Sequence, residues 1–377
     1  MIYLDHAATT PVPPEVADTV RETLVNGYGN PSSQYPPGRE AKALVGRCRE
    51  TVAQALGCEA ERLAFTSCGT ESDNWALRLA AWQGRHDGKH IVTTAVEHSA
   101  VLETCKQLEQ EGYEVTYLRP DRNGDITAAQ VADAVRGDTV LVSVMLVCNE
   151  TGCVFPIREI ADMLRARGSK ALLHTDAVQG FLKVPLRADA LGADLISISG
   201  HKVGAPKGVG ALYLGERVRH TRPLLAGGGQ ENGLRSGTEA TAQLAGFAKA
   251  VELRCERLDE SLAHMAEVKA YALERLLAVG GVERVGDGAA PHILALSLVG
   301  YPSANAVEDL GAQGICVSAG SACHRGKASH VYEAMGLPKK VKAGVLRVSF
   351  GPETTKAEID ALADALQRHR DTRFPML

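Results

Sequence analysis

The chain reads as an α/β protein, with a large domain built on a mostly parallel sheet and a smaller α+β domain attached. Three observations predict this. From about Arg39 to Leu214, short β-rich apolar runs alternate with segments of helical period. Most of the runs are apolar throughout, which is how strands covered on both faces read. The pattern then changes near residue 255, inside a helical stretch of about 40 residues that leads into a compact strand and helix tail.

Taken in order, the helix "REAKALVGRCRETVAQAL" precedes the strand "LAFTS", the helix "ESDNWALRLAAW", the strand "HIVTTAV" and the helix "AVLETCKQLEQEG". The series continues through "EVTYL", "TAAQVADAVR", "TVLVSVMLV", "IREIADMLRARG", "ALLHTDAV", "DLISISG" and "VGALYL". The stretch from "TEATAQLAGF" to "ERLLAVG" is longer than a typical globular helix, so it either bridges two domains or breaks midway. The tail reads strand "HILALSLV", helix "SANAVEDLGAQG", loop "SAGSACHRG", helix "SHVYEAMG", strand "VLRVSF" and helix "TKAEIDALADALQRH". The expected boundaries are 15–255 for the large domain, and 1–14 with 256–377 for the small one.

Bulk composition narrows the function classes. The 377 residues are 45% hydrophobic, enough for a sizeable core, and 41 basic against 45 acidic side chains leave a net charge of −4. No strong field draws the chain to nucleic acid or to anionic lipid. The start "MIYLDHAATTPVPPEV" has neither a basic n-region nor an apolar h-region, and no apolar run is long enough to span a bilayer, so a cytoplasmic location is expected. Nine cysteines are scattered without a CxxC pair or zinc-finger spacing; neither a disulfide framework nor a structural metal is expected. The nearest pair, Cys148 and Cys153, reads as small half-buried residues.

Several side chains stand where an α/β sheet places chemistry. Lys202 follows the strand in "ISISGHKVGAPKG", and is either a solvated surface lysine or a desolvated Schiff-base amine. Asp176 ends the strand in "LLHTDAVQG", where it either caps a turn or holds a pyridinium N–H, and Gln179 three residues on either caps a turn or donates to a ring oxygen. In "FTSCGTESDNW", Gly69 and Thr70 open a helix whose free N–H groups make an anion site by geometry, unless the turn is only capped. His98 in "VEHSAV" is either a cap or a ring that stacks on an aromatic cofactor. Thr238 opens the long helical stretch after "GGGQENGLRSG". Arg347, inside the strand "VLRVSF", needs either an internal acid or a substrate carboxylate for its planar fork. In "SAGSACHRG", Cys323 is flanked by small residues and by His324, Arg325 and Lys327, cations that favour a thiolate.

Together, "YLDHAATTP", "GNPSS", "TSCGTESDN", "VEHSAV", "CNETG", "HTDAVQ", "SGHKVGAPKGVGALY", "GGGQENGLRSGT", "SAGSAC" and "LRVSFG" resemble the NifS/IscS-type cysteine desulfurases, in that family's order and over nearly the whole chain. The resemblance implies a homodimeric pyridoxal 5'-phosphate (PLP) enzyme of the aspartate-aminotransferase-like fold type I. It implies Lys202 as the Schiff-base lysine, Asp176 on the pyridine nitrogen, His98 stacked on the ring and Gln179 on the phenolic oxygen. Gly69, Thr70, Ser199 and His201 would surround the phosphate, joined by Thr238 from the other subunit. Asn149 and Arg347 would hold the α-carboxylate of L-cysteine, with Asn149 also near the cofactor. Cys323 would be the nucleophile that takes the sulfur as a persulfide, and Lys202 and His98 the proton carriers.

Two departures bear on that expectation. Only five residues separate Cys323 from "SHVYEAMG", fewer than in the long loop of the IscS-like branch, which implies restricted delivery to an outside sulfur-acceptor protein. Cys68 stands where the family usually has glycine. Selenocysteine lyase, cysteine-sulfinate desulfinase and a sulfur-relay scaffold with little turnover are the alternatives. Iron–sulfur assembly, tRNA thiolation and DNA phosphorothioation are the pathways that draw sulfur from such enzymes.

Overall fold

The computed structural model describes residues 1–219, 222–319 and 329–375. Twelve strands occur among them: β1 (Ile2–Tyr3), β2 (Leu63–Thr66), β3 (His90–Thr94), β4 (Glu114–Leu118), β5 (Thr139–Ser143), β6 (Leu172–Asp176), β7 (Leu195–Ser199), β8 (Gly210–Leu214), β9 (Val282–Arg284), β10 (Ile293–Leu298), β11 (Ile315–Cys316) and β12 (Val345–Ser349). Seven form the central sheet, in spatial order β2-β8-β7-β6-β5-β3-β4. Six of these point the same way, and only β8 is reversed, antiparallel to both of its neighbours, β2 and β7. The reversal has a simple cause: residues 200–209 are too few for the crossover helix a parallel return needs.

Consecutive residues of the central strands enter opposite cores, as a period of two requires. Ile91, Leu141, Leu172 and Leu195 pack with Trp75, Leu79, Val101 and Leu108 from helices Gly69–Gly84 and Ser99–Gln110. Their successors Val92, Val142, Leu173 and Ile196 pack into the other core, with Val52 of helix Pro36–Leu56, Ile160 of helix Ile157–Ala166 and Phe247 of helix Thr241–Glu256. The apolar runs therefore reflect a sheet sandwiched between helices.

The long helical stretch breaks at Arg257, whose φ of −130° and ψ of 28° leave the helical region, and helix Leu258–Leu277 continues beyond it. That second helix joins helices Ser303–Ala312 and Lys356–Thr372 around an antiparallel sheet of order β12-β10-β9. Leu4, Met265, Leu276, Leu296, Val348 and Leu362 are in this separate core. β1 pairs with β11, and Asp5 bridges Ser349, so the chain start is fastened to this core before it crosses to the central sheet. No helix among the described residues is long and apolar enough to cross a membrane.

Candidate active site

Loops that leave β2, β3, β5, β6 and β7 at one edge of the central sheet enclose a pocket of about 250 Å³, the position that suits ligands in open α/β sheets. Its walls include Gly69, Thr70, His98, Asn149, Asp176, Gln179, Ser199, His201, Lys202 and Arg347. Ten residues singled out in the sequence thus converge on one space. Thr238 is exposed and is not part of this lining, and Cys323 lies outside the described residues.

One end of the pocket is built for an anion. Helix Gly69–Gly84 begins there with Cys68 at the cap position and no side-chain hydrogen bond to its first turn, so its N–H groups are available. Glycine at 69 keeps the approach clear, because a Cβ there would meet Val178 Cγ2 at 2.7 Å. Ser199 Oγ is buried nearby without a hydrogen-bond partner. His201 shares a 3.2 Å hydrogen bond between Nδ1 and Thr9 Oγ1, and burial with the Lys202 charge lowers its pKa to about 4.

Residues from the start of the chain help to hold both cationic groups, Lys202 through backbone carbonyls and Arg347 through the Asp5 carboxylate. Lys202 Nζ donates to the carbonyls of Ala7 and Ala8, both at 2.7 Å. Gln179 Nε2 donates to the same Ala7 carbonyl at 2.7 Å, while its Oε1 accepts from Lys183 Nζ at 3.3 Å. Two donors and a carbonyl thereby set which way the amide faces, since His292 Nε2 also lies 3.3 Å from Oε1. Arg347, 3% exposed, gives Nη1 to the Asn149 carbonyl at 2.9 Å and Nη2 to Asp5 at 2.8 Å. Both readings of this arginine find support: it has an internal acid, and its buried Nε still lacks a partner.

The acids and imidazoles lie deeper. Asp176 Oδ1 accepts the Val178 N–H at 2.9 Å, the turn cap expected of an aspartate at a strand end. His98 Nδ1 accepts from the Ala100 N–H at 3.2 Å, which caps the next helix and puts the proton of the neutral ring on Nε2. Burial lowers the His98 pKa, opposed by the charge of Asp176. Each cap is therefore also a pocket wall, because the same turn satisfies the helix end and faces the cavity.

A family model described as aminotransferase class-V matches residues 2–362. The chain belongs to that family. A cysteine desulfurase of Trichormus azollae is 42% identical over 371 residues, which are 97% of this chain and 92% of the relative. A solved NifS-like protein aligns with a TM-score of 0.93 at 33% identity, over 99% of this chain and 100% of its own. SspA, solved in complex with cysteine, aligns with a TM-score of 0.81 at 32% identity, over 94% of this chain and 100% of its own. The class-V chain accordingly has the type I fold of PLP-dependent transferases, as its motifs led us to expect.

Other groups at this class-V site carry no role in the sequence analysis. Asp73, Glu150 and His330 line the pocket, and Glu97 is buried beside it, its Oε1 bonded to Thr94 and to the Met145 N–H. Lys183 and His292 support Gln179 from beneath. Asp73 was recoverable in principle, since it follows Gly69 by four residues on one helix face. The others reach the site from distant segments: His330, for example, bonds the Glu97 carbonyl at 3.0 Å across 233 residues.

Proposed function

We propose that this protein is a PLP-dependent cysteine desulfurase that converts L-cysteine to L-alanine and passes the sulfur to Cys323 as a persulfide, for delivery to an acceptor protein. The observation that carries the reading is the single pocket joining an uncapped helix N-terminus, a lysine, a buried aspartate and a buried arginine. PLP fits the groups present: an N–H cradle and the unpartnered Ser199 Oγ suit a phosphate, Asp176 a ring nitrogen, and Lys202 an aldehyde. When bound, PLP supplies an electron sink for the pair left as the substrate's Cα proton departs.

The chain's own groups do the rest. Arg347 offers its unpartnered Nε–H to the substrate carboxylate, and Asn149 lies beside it in the same pocket. His98 and Lys202 carry protons to and from the substrate. Cys323, as thiolate, attacks the substrate sulfur; an S–S bond forms, the Cβ–S bond breaks, and its electron pair stays with the carbon skeleton, which takes up protons and leaves as alanine. Gly69, Thr70, Ser199 and His201 hold the phosphate, with Thr238 of a second subunit completing the cradle, so the working unit is a homodimer. We place it in the cytoplasm, serving an iron–sulfur scaffold or a thiolation enzyme.

The test is to incubate the protein with L-cysteine without reductant, alkylate the thiols and map the added sulfur by peptide mass. Extra sulfur on Cys323, with alanine formed alongside, is the expected result. Alanine with Cys323 unmodified would leave the cofactor site standing and overturn the nucleophile.

A further inference from the structure

Asp73 and Asp176 come from different elements, a helix and the end of β6, yet a carboxylate oxygen of each and an imidazole nitrogen of His98 lie within 4.8 Å of one another. Both aspartates are buried, at 1% and 6% exposure. Two carboxylates so close and so dry do not both ionise; they share a proton as a pair.

Their surroundings decide which one keeps it. Burial raises the Asp176 carboxyl too, but its Oδ1 accepts the Val178 N–H and the acid faces His98 and Lys202, all of which act against the rise. Asp73 is supported less: the Ser197 hydroxyl favours its anion, but more weakly than burial and the Asp176 charge oppose it. Its Oδ1 is without a hydrogen-bond partner and stands 3.6 Å from His174 Nε2. That ring is engaged with Ser143 Oγ at 2.8 Å and Ser197 Oγ at 3.0 Å, and burial lowers its pKa to about 3, so it brings no charge. The other ionisable groups facing Asp73, Glu97 from the turn after β3 and Cys68 from the helix start, supply no cation to offset a second anion.

We propose that Asp73 and Asp176 form a one-proton carboxyl dyad in which Asp73 holds the proton, leaving Asp176 as the single anion that meets the PLP ring nitrogen. Burial and the neighbouring Asp176 charge both push the Asp73 carboxyl well above the usual carboxylate range, consistent with this geometry. Asp73 is thus a positioning residue that acts through Asp176. The part concerning the ring nitrogen rests on the desulfurase reading, whereas the dyad itself needs no cofactor.

The test is infrared difference spectroscopy of the full chain at neutral pH, following the carbonyl stretch of protonated carboxylic acids. Wild type minus Asp73→Asn should contain such a band, with Glu97→Gln run separately to identify the Glu97 contribution. In Asp176→Asn the like charge is gone, so the Asp73 band should titrate away at a pH lower by on the order of one unit or more. Loading the wild type with PLP should leave the band in place. A missing Asp73 band, a band unmoved by Asp176→Asn, or a band lost on PLP loading would each overturn the dyad. A protein that takes up no PLP would count against the desulfurase reading alone, because the first two comparisons are made without cofactor.

Discussion

Arg347 occupies a strand interior that its side chain would ordinarily avoid, and its partners account for the choice. A guanidinium has five N–H donors in one plane, so it serves Asp5 and the Asn149 carbonyl and still has Nε–H for a ligand. A lysine has one nitrogen at the end of its stem and cannot span these partners. Arg347→Lys is therefore expected to lower kcat/KM for L-cysteine by about 100-fold, or ~3 kcal/mol, measured as alanine formed at steady state. If the arginine serves only the internal ion pair, the variant should lose thermal stability while the folded fraction keeps its kcat/KM. Lys202 shows the same economy of backbone partners, with the Ala7 and Ala8 carbonyls receiving its amine.

Helix Gly69–Gly84 leaves its start without a side-chain cap, and the proposed phosphate accounts for that choice. A 16-residue helix with no side-chain cap gives up a contribution of about 1 kcal/mol that Ser, Thr, Asp or Asn would supply. Cys68→Asp should raise the melting temperature of the cofactor-free protein by supplying that cap and complementing the helix dipole. The same carboxylate would repel a phosphate, so the dissociation constant for PLP should rise at least about tenfold, on the scale of a like-charge contact. Equilibrium dialysis and a melting curve on the same preparation check both halves; tighter PLP binding would show that the helix start is not the phosphate site. The neighbouring reversal at β8 belongs to this scale too, since the short connection from β7 places Lys202 beside the strand ends and not on a crossover helix.

Across the whole molecule, buried imidazoles and a buried acid set opposite limits on stability. His6 and His201 are lowered from 6.5 to about 4, and His174 to about 3, each chiefly by burial. The unfolded chain takes up these protons first, so stability falls as pH drops from 6.5 towards 4. Glu97 is raised from 4.5 to about 8, so here the folded state holds the proton and its contribution weakens as pH rises between those values. On the acid side, the histidine contribution to the cofactor-free protein is complete near 6.5. Glu97→Gln should remove a decline that spans 4.5 to about 8, flattening the curve above 6.5 and steepening the rise from 4.5 to 6.5, as pH-dependent melting curves would show. The proposed dimer makes a separate prediction. Lys202→Ala and Thr238→Ala, each impaired alone, should partly restore alanine formation when refolded together, because one mixed site would have both wild-type residues. No recovery despite mixed dimers would place Thr238 outside the partner's site.

The sequence by itself determined the α/β class, the apolar strands covered on both faces, and the positions of Lys202, Asp176, Gln179, His98 and the helix opening at Gly69. Each of these stands at a strand end or helix start, where local period and turn chemistry mark it. The break at Arg257 was one of two readings the long helical stretch allowed, and packing against two different cores decided it. Only the tertiary structure decided that Asp5 would pair with Arg347 across 342 residues, that Ala7 would receive Lys202 across 195, and that Lys183 and His292 would orient one amide. Contacts at that separation have no periodic trace. They follow from the crossing of the chain start from the small sheets to the loops of the central one, a juxtaposition of segments far apart in sequence.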